Sequence, residues 1–287
     1  MPARLTAYPP DSAAERFALS GEGPHRVGRA DDCDVQLAHP SVSRQHAEFS
    51  ISGDRWILRD LGSKNGSFVD GLRADGNTRQ GPAWLRLGDI ACELEIIDEA
   101  TLARAWREST RRSEAATALT LAIGRDPARP DLLEATLDAI IDLAGAERGF
   151  LLLPGENGME PKAWRGFDRD GPDFARFIGS TTAVARALQS KRPVVAHDLS
   201  LDLELAGRAS VVAGGLRALA CLPLVLGEEV LGVAYADSRS PGAVVTRIDL
   251  ELLEAFTERA TLWLAVRRNQ AALAASPASL PAGGSPG

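Results

Sequence analysis

The sequence predicts two domains of different fold class, an N-terminal all-β sandwich and a C-terminal α+β domain with an antiparallel sheet, joined by a helix. Its 287 residues fit two domains of roughly 100 to 150 residues each. Short alternating apolar runs fill the first third of the chain, and helical spacing follows them. The predicted boundaries are residues 1–98 for the sandwich, 99–130 for a linker helix, 131–270 for the second domain and 271–287 for a disordered tail.

Composition and charge exclude several classes of protein. Hydrophobic residues make up 45% of the chain, yet no apolar run approaches the roughly 20 residues of a membrane span. The first residues lack the apolar core of a signal peptide, so we expect a cytoplasmic protein with no membrane partner. Residues 1–98 hold 11 Lys and Arg against 15 Asp and Glu, and the net charge of the chain is −7. Neither domain is therefore expected to bind nucleic acid.

The first domain consists of short strands separated by turn residues. Apolar positions recur every second residue in 47–51 and 56–61, as in a half-buried strand. Shorter strands are predicted at 3–7 and 16–19. A Gly-Asp turn precedes the closing strand at 91–97.

Three polar loops interrupt the alternating runs between residues 27 and 71. They are Gly28-Arg29, Ser43-Arg44-Gln45-His46 and Lys64-Asn65-Gly66. Arg29 and Arg44 offer planar forks of donors, and Lys64 offers a point charge. Ser43 adds a hydroxyl and Asn65 an amide. Loops between strands of one sandwich can converge at one end, and a local cationic cluster in an acidic domain favours one discrete anion such as phosphate.

The order and spacing of these motifs resemble a forkhead-associated (FHA) domain, a reader of phosphothreonine peptides. The resemblance covers roughly the first third of the chain. It implies that Arg29, Ser43, Arg44 and Lys64 contact the phosphate and that Asn65 holds the peptide backbone. Ordinary turn chemistry would explain the composition of the loops but not their ordered set.

The same resemblance gives three residues a supporting role. His46 would brace the Ser43 loop, and Gly28 and Gly66 would supply backbone conformations open to a residue without Cβ. No metal site is expected, because the acidic run 31–34 lacks the regular oxygen ligands and terminal Glu of a calcium loop.

The stretch 99–125 is predicted to be helical. Its apolar and small residues fall near helical spacing, at Leu102, Trp106, Ser109, Ser113, Ala116 and Ile123. Two interpretations stay open: a linker helix within one chain, or a coiled-coil partner for a second copy. Prolines between 126 and 130 then end the helix.

The second domain alternates helices with strands. The predicted elements are a helix at 132–143, a strand at 149–153, a hairpin turn at Asn157-Gly158, a helix at 182–189, a strand at 193–195, an irregular stretch at 198–215, a hairpin over 219–236 and a helix at 247–270. The phrases at 145–151, 220–224 and 230–237 resemble a GAF domain, a sensory module of signalling proteins.

The GAF resemblance leaves the ligand open. Relatives that bind cyclic nucleotides carry an Asn-Lys pair, which this half of the chain lacks. The residues of this domain that could ligate haem or bilin are His197 and Cys221. We interpret them as a loop residue and as a buried, apolar-like residue. No known cofactor is thus expected. An unidentified small ligand would bind between the sheet and residues 198–215.

Together the resemblances predict a bacterial signalling adaptor that is not an enzyme. Its expected partner is a phosphothreonine-containing protein, a Ser/Thr kinase or its substrate. The GAF domain would sense a small ligand or form a homodimer through helices near 101–123 and 247–270, which carry Trp106 and Trp263. One alternative is a small-molecule-sensing regulatory subunit of a transcription or kinase pathway in which the FHA domain acts intramolecularly. Another is a GAF-type methionine sulfoxide reductase, for which paired cysteines are missing.

Overall fold

A computed structural model describes residues 1–10, 12–21, 23–126, 129–156, 158–167, 181–197, 217–240 and 243–275. Both predicted fold classes are confirmed: two sheets pack as a sandwich in the first domain, and helices cover an antiparallel sheet in the second. None of the described helices is long and apolar enough to span a bilayer.

The sandwich comprises a six-stranded and a five-stranded sheet. The first has the order β2-β1-β11-β10-β7-β8, with β1 Ala3–Tyr8, β2 Glu15–Leu19, β7 Ser67–Val69, β8 Leu72–Arg73, β10 Ala83–Leu87 and β11 Ile90–Ile96. The second has the order β4-β3-β5-β6-β9, with β3 Pro24–Gly28, β4 Val35–Gln36, β5 Ala47–Ser52, β6 Arg55–Asp60 and β9 Arg79–Gln80.

Alternation along the strands forms the core between the two sheets. Strand β5 buries Ala47, Phe49 and Ile51 and turns the intervening residues outward. Phe49 stacks on Trp56 of β6 with ring centroids 5.5 Å apart, and the Trp56 indole N–H donates to the Gly81 carbonyl at 2.9 Å. This packing fixes the strand ends from which the polar loops project.

The second domain has one antiparallel sheet with helices on both faces. Its order is β13-β12-β16-β15-β14, with β12 Arg148–Gly155, β13 Gly158–Arg165, β14 Val194–His197, β15 Ala218–Leu226 and β16 Glu229–Ser238. The helices are α1 Glu99–Gly124, α2 Leu132–Ala144, α3 Thr181–Ser190 and α4 Arg247–Ala275. Helices α1, α2 and α4 share the core on one face of the sheet, and α3 packs against the other.

The second domain differs from the sequence prediction at the end of its last helix and at His197. Helix α4 continues to Ala275, five residues into the predicted tail, because the alanines of 271–275 are strong helix formers; residues 276–287 lie outside the described residues. His197 is not a loop residue, since it ends β14 in register with Ala218. The predicted irregular stretch 198–215 falls outside the described residues, whereas Cys221 is buried in β15 as expected.

Helix α1 belongs to the second domain over its C-terminal half. Ala116 and Ile123 are buried in the same core as α2 and α4. A Cβ on Gly124 would lie 3.1 Å from the ring of Trp263, so the two helices approach closely there. Trp263 therefore packs within its own chain, whereas Trp106 is 67% exposed.

The first domain docks on the second through what we call the domain seam, formed by Tyr8, Ala13 and Ala14 on one side and His197 and residues 245–247 on the other. Ala14 donates to the Val245 carbonyl at 3.0 Å and accepts from Arg247 at 2.8 Å. The rings of Tyr8 and His197 lie 5.6 Å apart. Ala13, Ala14 and Val245 are buried, so the seam is a packed interface.

Candidate anion-binding site

The structure brings the three polar loops together at one end of the sandwich. The Arg29 N–H donates to the Ser43 carbonyl at 3.0 Å, and the Ala30 N–H donates to the Arg44 carbonyl at 3.2 Å. The Lys64 N–H donates to Ser43 Oγ, also at 3.0 Å. Direct hydrogen bonds therefore link all three loops.

The cationic groups of this cluster are available to a ligand. Arg29, Arg44 and Lys64 are exposed, and within the described part of the chain no ion pair joins their side chains. Ser43 Oγ already accepts from the Lys64 N–H, so its own proton is free to be donated to an anion. Three exposed positive charges and a hydroxyl donor therefore lie on loops that meet at this end of the sandwich.

The buried ring of His46 links two of the loops. Its Nδ1 accepts the Ser43 N–H at 3.0 Å, which leaves Nε2–H to donate to the Gly66 carbonyl at 3.1 Å. The ring is fully buried, and burial lowers the pKa of His46. The imidazole is therefore neutral and holds one tautomer, the geometry that a bracing role requires.

Close packing explains Gly28 in the motif, and backbone conformation explains Gly66. A Cβ on Gly28 would lie 2.2 Å from the Arg44 carbonyl oxygen, so any side chain would displace the Arg44 loop. Gly66 has a φ of +79°, a left-handed conformation that disfavours other residues.

The sequence did not reveal that Ser41 anchors the site. The Asn65 Nδ2 donates to the Ser41 carbonyl at 2.7 Å, which leaves the Asn65 carbonyl oxygen for a ligand N–H. Ser41 Oγ accepts from the Asp89 N–H at 2.9 Å. Ser41 therefore joins the Asn65 loop to the turn between β10 and β11. The Gly88-Asp89 turn was visible in the sequence, but no local signal marked its partner.

Asp60 organises the loop that carries Lys64 and Asn65. Its carboxylate accepts from the hydroxyls of Ser63 at 2.7 Å and Ser67 at 2.6 Å. Burial alone would raise the pKa of Asp60, but hydrogen bonds from Ser67, Ser63 and Gly62 outweigh it and lower the pKa to about 2. The loop therefore rests on a carboxylate that stays charged at neutral pH.

The acidic run beside Arg29 is held by local hydrogen bonds. Asp34 Oδ2 accepts the Arg26 N–H at 2.7 Å, and the Cys33 thiol donates to the Arg44 carbonyl at 3.3 Å. Asp31 and Asp32 are exposed. These hydrogen bonds tie the run to β3 and to the Arg44 loop at the edge of the site.

The second domain has a polar cluster on the sheet face that α3 covers. Arg148 Nε donates to Asp237 Oδ1 at 2.7 Å, and Phe150 stacks on Tyr235 with centroids 4.7 Å apart. Burial raises the pKa of the neighbouring Cys221 thiol to about 12, so this cysteine is not a thiolate at neutral pH. Residues 198–215, which were expected to close a ligand pocket here, lie outside the described residues.

Two histidines, His46 buried and His197 partly buried, predict a loss of stability in mild acid. Burial lowers the pKa of His46, and burial lowers the pKa of His197 to about 4. A histidine whose pKa is lower in the folded chain contributes stability above about pH 6.5, and this contribution is lost as the pH falls toward the folded pKa. The free energy of unfolding in urea should therefore drop from pH 7 to pH 5, by up to about 1.4 kcal/mol per pH unit for each histidine.

A matched variant tests whether His197, in the seam, causes part of this loss of stability. In the wild type, His197 Nε2 accepts a hydrogen bond from the Val245 N–H at 3.1 Å. Glutamine in His197→Gln can accept the same hydrogen bond but does not titrate between pH 5 and 7. The unfolding free energy of this variant should fall less steeply with pH than that of the wild type. Equal slopes would contradict the assignment to His197.

Comparison with known proteins places both domains in families. The model of the FHA domain matches residues 25–90, and the model of the GAF domain matches residues 129–262. The FHA domain-containing protein FhaB of Mycobacterium tuberculosis is 38% identical over 80 residues, which are 28% of this chain and 51% of FhaB. The chain thus spans about half the length of these mycobacterial relatives.

Further matches cover the same region. The oxoglutarate dehydrogenase inhibitor of Corynebacterium jeikeium is 42% identical over 59 residues, which are 21% of this chain and 40% of that protein. A solved structure of Mycobacterium tuberculosis EmbR in complex with a low affinity phosphopeptide is 26% identical, covers 33% of this chain and 24% of that chain, and has a TM-score of 0.29. The two family-model matches, at residues 25–90 and 129–262, identify an FHA domain followed by a GAF domain.

Proposed function

We propose that this chain is a cytoplasmic bacterial signalling adaptor that binds phosphothreonine-containing proteins through its FHA domain. The observation that carries the proposal is the convergence of Arg29, Arg44 and Lys64 with the Ser43 hydroxyl on loops joined by hydrogen bonds. Their side chains have no ion-pair partner in the described part of the chain. A dianionic group is the ligand that such a cluster stabilises best.

Phosphothreonine fits this site chemically. A phosphate monoester brings about −1.5 to −2 charges and three acceptor oxygens. Arginine forks bind it with charge-assisted pairs of hydrogen bonds, and lysine adds a point charge. The free carbonyl oxygen of Asn65 is placed to accept a backbone N–H of the same peptide. We propose that the partner is a Ser/Thr kinase or its substrate.

The test is a titration of the full chain with a phosphothreonine peptide library. Phosphorylated peptides should bind, and the same library treated with phosphatase should not. A pull-down from lysate with and without phosphatase, read by mass spectrometry, would then identify the partner. Equal binding of both libraries would refute the proposal, and binding by a segment of this same chain would favour the intramolecular alternative.

We propose that the GAF domain senses a small ligand or joins two copies of the chain, and that neither domain is catalytic. Large apolar side chains on the outer faces of α1 and α4 support pairing of two copies. They are Trp106, Leu121, Leu262, Val266 and Leu273. The buried Cys92 and Cys221 have raised pKa values, which argues against thiol chemistry. A monomeric mass by light scattering at micromolar concentration would exclude the dimer.

A further inference from the structure

The GAF domain sits at the same end of the sandwich as the anion-binding loops. Tyr8 at the end of β1 is in register with Ala91 of β11. Ala91 follows Asp89 by two residues, and the Asp89 N–H donates to Ser41 Oγ at the anion site. The chain then runs from Tyr8 to Ala14, which is hydrogen-bonded to Val245 and Arg247. The domain seam therefore lies beside the peptide-binding end of the FHA domain, not at the opposite end.

The order of strands gives the distance between Asn65 and the domain seam. Asn65 precedes β7, and the sheet continues from β7 through β10 and β11 to β1. Three strand spacings of about 4.8 Å give roughly 14 Å. An extended peptide covers this distance in about four residues. A peptide that Asn65 holds can therefore reach the seam with a flank of about four residues.

Contacting side chains lie along this path on the six-stranded sheet. Tyr8 contacts Trp84 of β10, with ring centroids 5.9 Å apart, as well as His197 of the second domain. Arg86 of β10 lies over the Phe68 ring, 3.8 Å from its centroid, and donates to the Gly88 carbonyl at 3.1 Å. One pair, Arg86 and Phe68, thus lies next to the Asn65 loop, and the other, Tyr8 and Trp84, extends to His197 of the GAF domain.

We propose that the phosphopeptide site continues from Asn65 over the Gly88-Asp89 turn onto the domain seam, so that both domains read the peptide. The inference rests on the proposed phosphothreonine function. Its occupant is an extended phosphopeptide segment with a flank of at least four residues on one side of the phosphothreonine. The exposed carboxylate of Asp89 favours a basic side chain in that flank.

Photocrosslinking tests the path of the peptide without knowledge of its natural sequence. The probe is an alanine- and lysine-based peptide of about 17 residues with phosphothreonine at its centre. A benzoylphenylalanine replaces one residue at a time. Positions next to the phosphothreonine should crosslink to residues 25–90 of the full chain. Positions five to eight residues away on one side should crosslink to the seam, at Tyr8, Ala13, Ala14, His197 or residues 245–247, as mapped by mass spectrometry.

Two variants separate the seam from the rest of the site. Ala14→Arg places a bulky charge in the seam and should abolish the distant crosslinks while the near ones persist. Ala255→Arg adds the same side chain on the exposed face of α4 and should change neither. Should Ala14→Arg fail to fold, the scan of probe positions on the wild type still decides the question.

Different crosslinking results would contradict the extended peptide site and the proposed binding of phosphothreonine. Crosslinks confined to residues 25–90 at every probe position would overturn the extended site and leave phosphothreonine binding intact. Crosslinks that do not depend on the phosphate would overturn the proposed function itself. Distant crosslinks that survive unchanged in Ala14→Arg would contradict the dependence of the flank on the packed seam.

Discussion

Arg29→Ala is expected to weaken phosphothreonine-peptide binding by one to two powers of ten. The side chain is exposed, with no ion-pair partner among the described residues, so its removal should leave the fold unchanged. A hydrogen bond to a charged group contributes about 1.5 to 3 kcal/mol, which corresponds to roughly 10- to 150-fold in affinity. Isothermal titration with one phosphothreonine peptide measures the loss.

Matched variants make the result specific to position 29. Arg26→Ala removes an exposed arginine three residues earlier on β3 and should leave affinity nearly unchanged. Arg29→Lys keeps the charge but loses the planar fork, so its affinity should fall between those of the wild type and Arg29→Ala. Equal losses for Arg26→Ala and Arg29→Ala would indicate general electrostatic attraction instead of a discrete site.

The largest expected loss of stability comes from breaking the buried pair between Arg148 and Asp237. Asp237 is 1% exposed and Arg148 is 7% exposed. Burial raises the pKa of Asp237, and the Arg148 guanidinium counteracts part of that rise. Arg148→Met leaves a carboxylate without its buried counter-charge, which costs about 3 to 5 kcal/mol. Thermal unfolding should show the transition of the GAF domain lowered by roughly 10 to 20 °C.

Three comparisons check whether the stranded charge causes that loss. Lys162→Ala breaks the surface pair with Glu160 in the same domain and should cost less than about 1 kcal/mol. Asp237→Asn added to Arg148→Met removes the stranded charge, so the double variant should be more stable than the single one. The deficit of Arg148→Met should also shrink as the pH falls, because the carboxyl of Asp237 can then take a proton. A double variant less stable than Arg148→Met would show that packing, not charge, dominates.

Local patterns made most of the FHA domain predictable. Alternation in β5 and β6 is a property of the chain itself, and the three polar loops carry residue types that suit an anion. The role of Ser41 was not predictable, because it depends on Asn65 and Asp89, which are 24 and 48 residues away. Contacts between distant loops leave no periodic signal in one sequence.

The domain seam was not predictable from the sequence for a related reason. Ala13 and Ala14 are small residues in a loop, where nothing distinguishes a buried alanine from an exposed one. The docking of α1 was also open, since its stripe of small residues suits an intrachain contact as well as a second copy. The structure shows that Ala116 and Ile123 face their own domain. Helix α4 continues past the predicted end because its last residues are alanines rather than turn formers.

The packing of α1 determines at which residues the chain can be divided into fragments that keep their cores intact. A fragment that begins at residue 129, where the GAF match begins, loses Ala116 and Ile123 from its core and leaves α2 and α4 with an uncovered apolar face. A fragment that ends at residue 98 exposes Ala13, Ala14 and the Tyr8 ring to water. Separately expressed halves should therefore be less soluble than the intact chain, and a fragment that starts before α1 should retain the native GAF core.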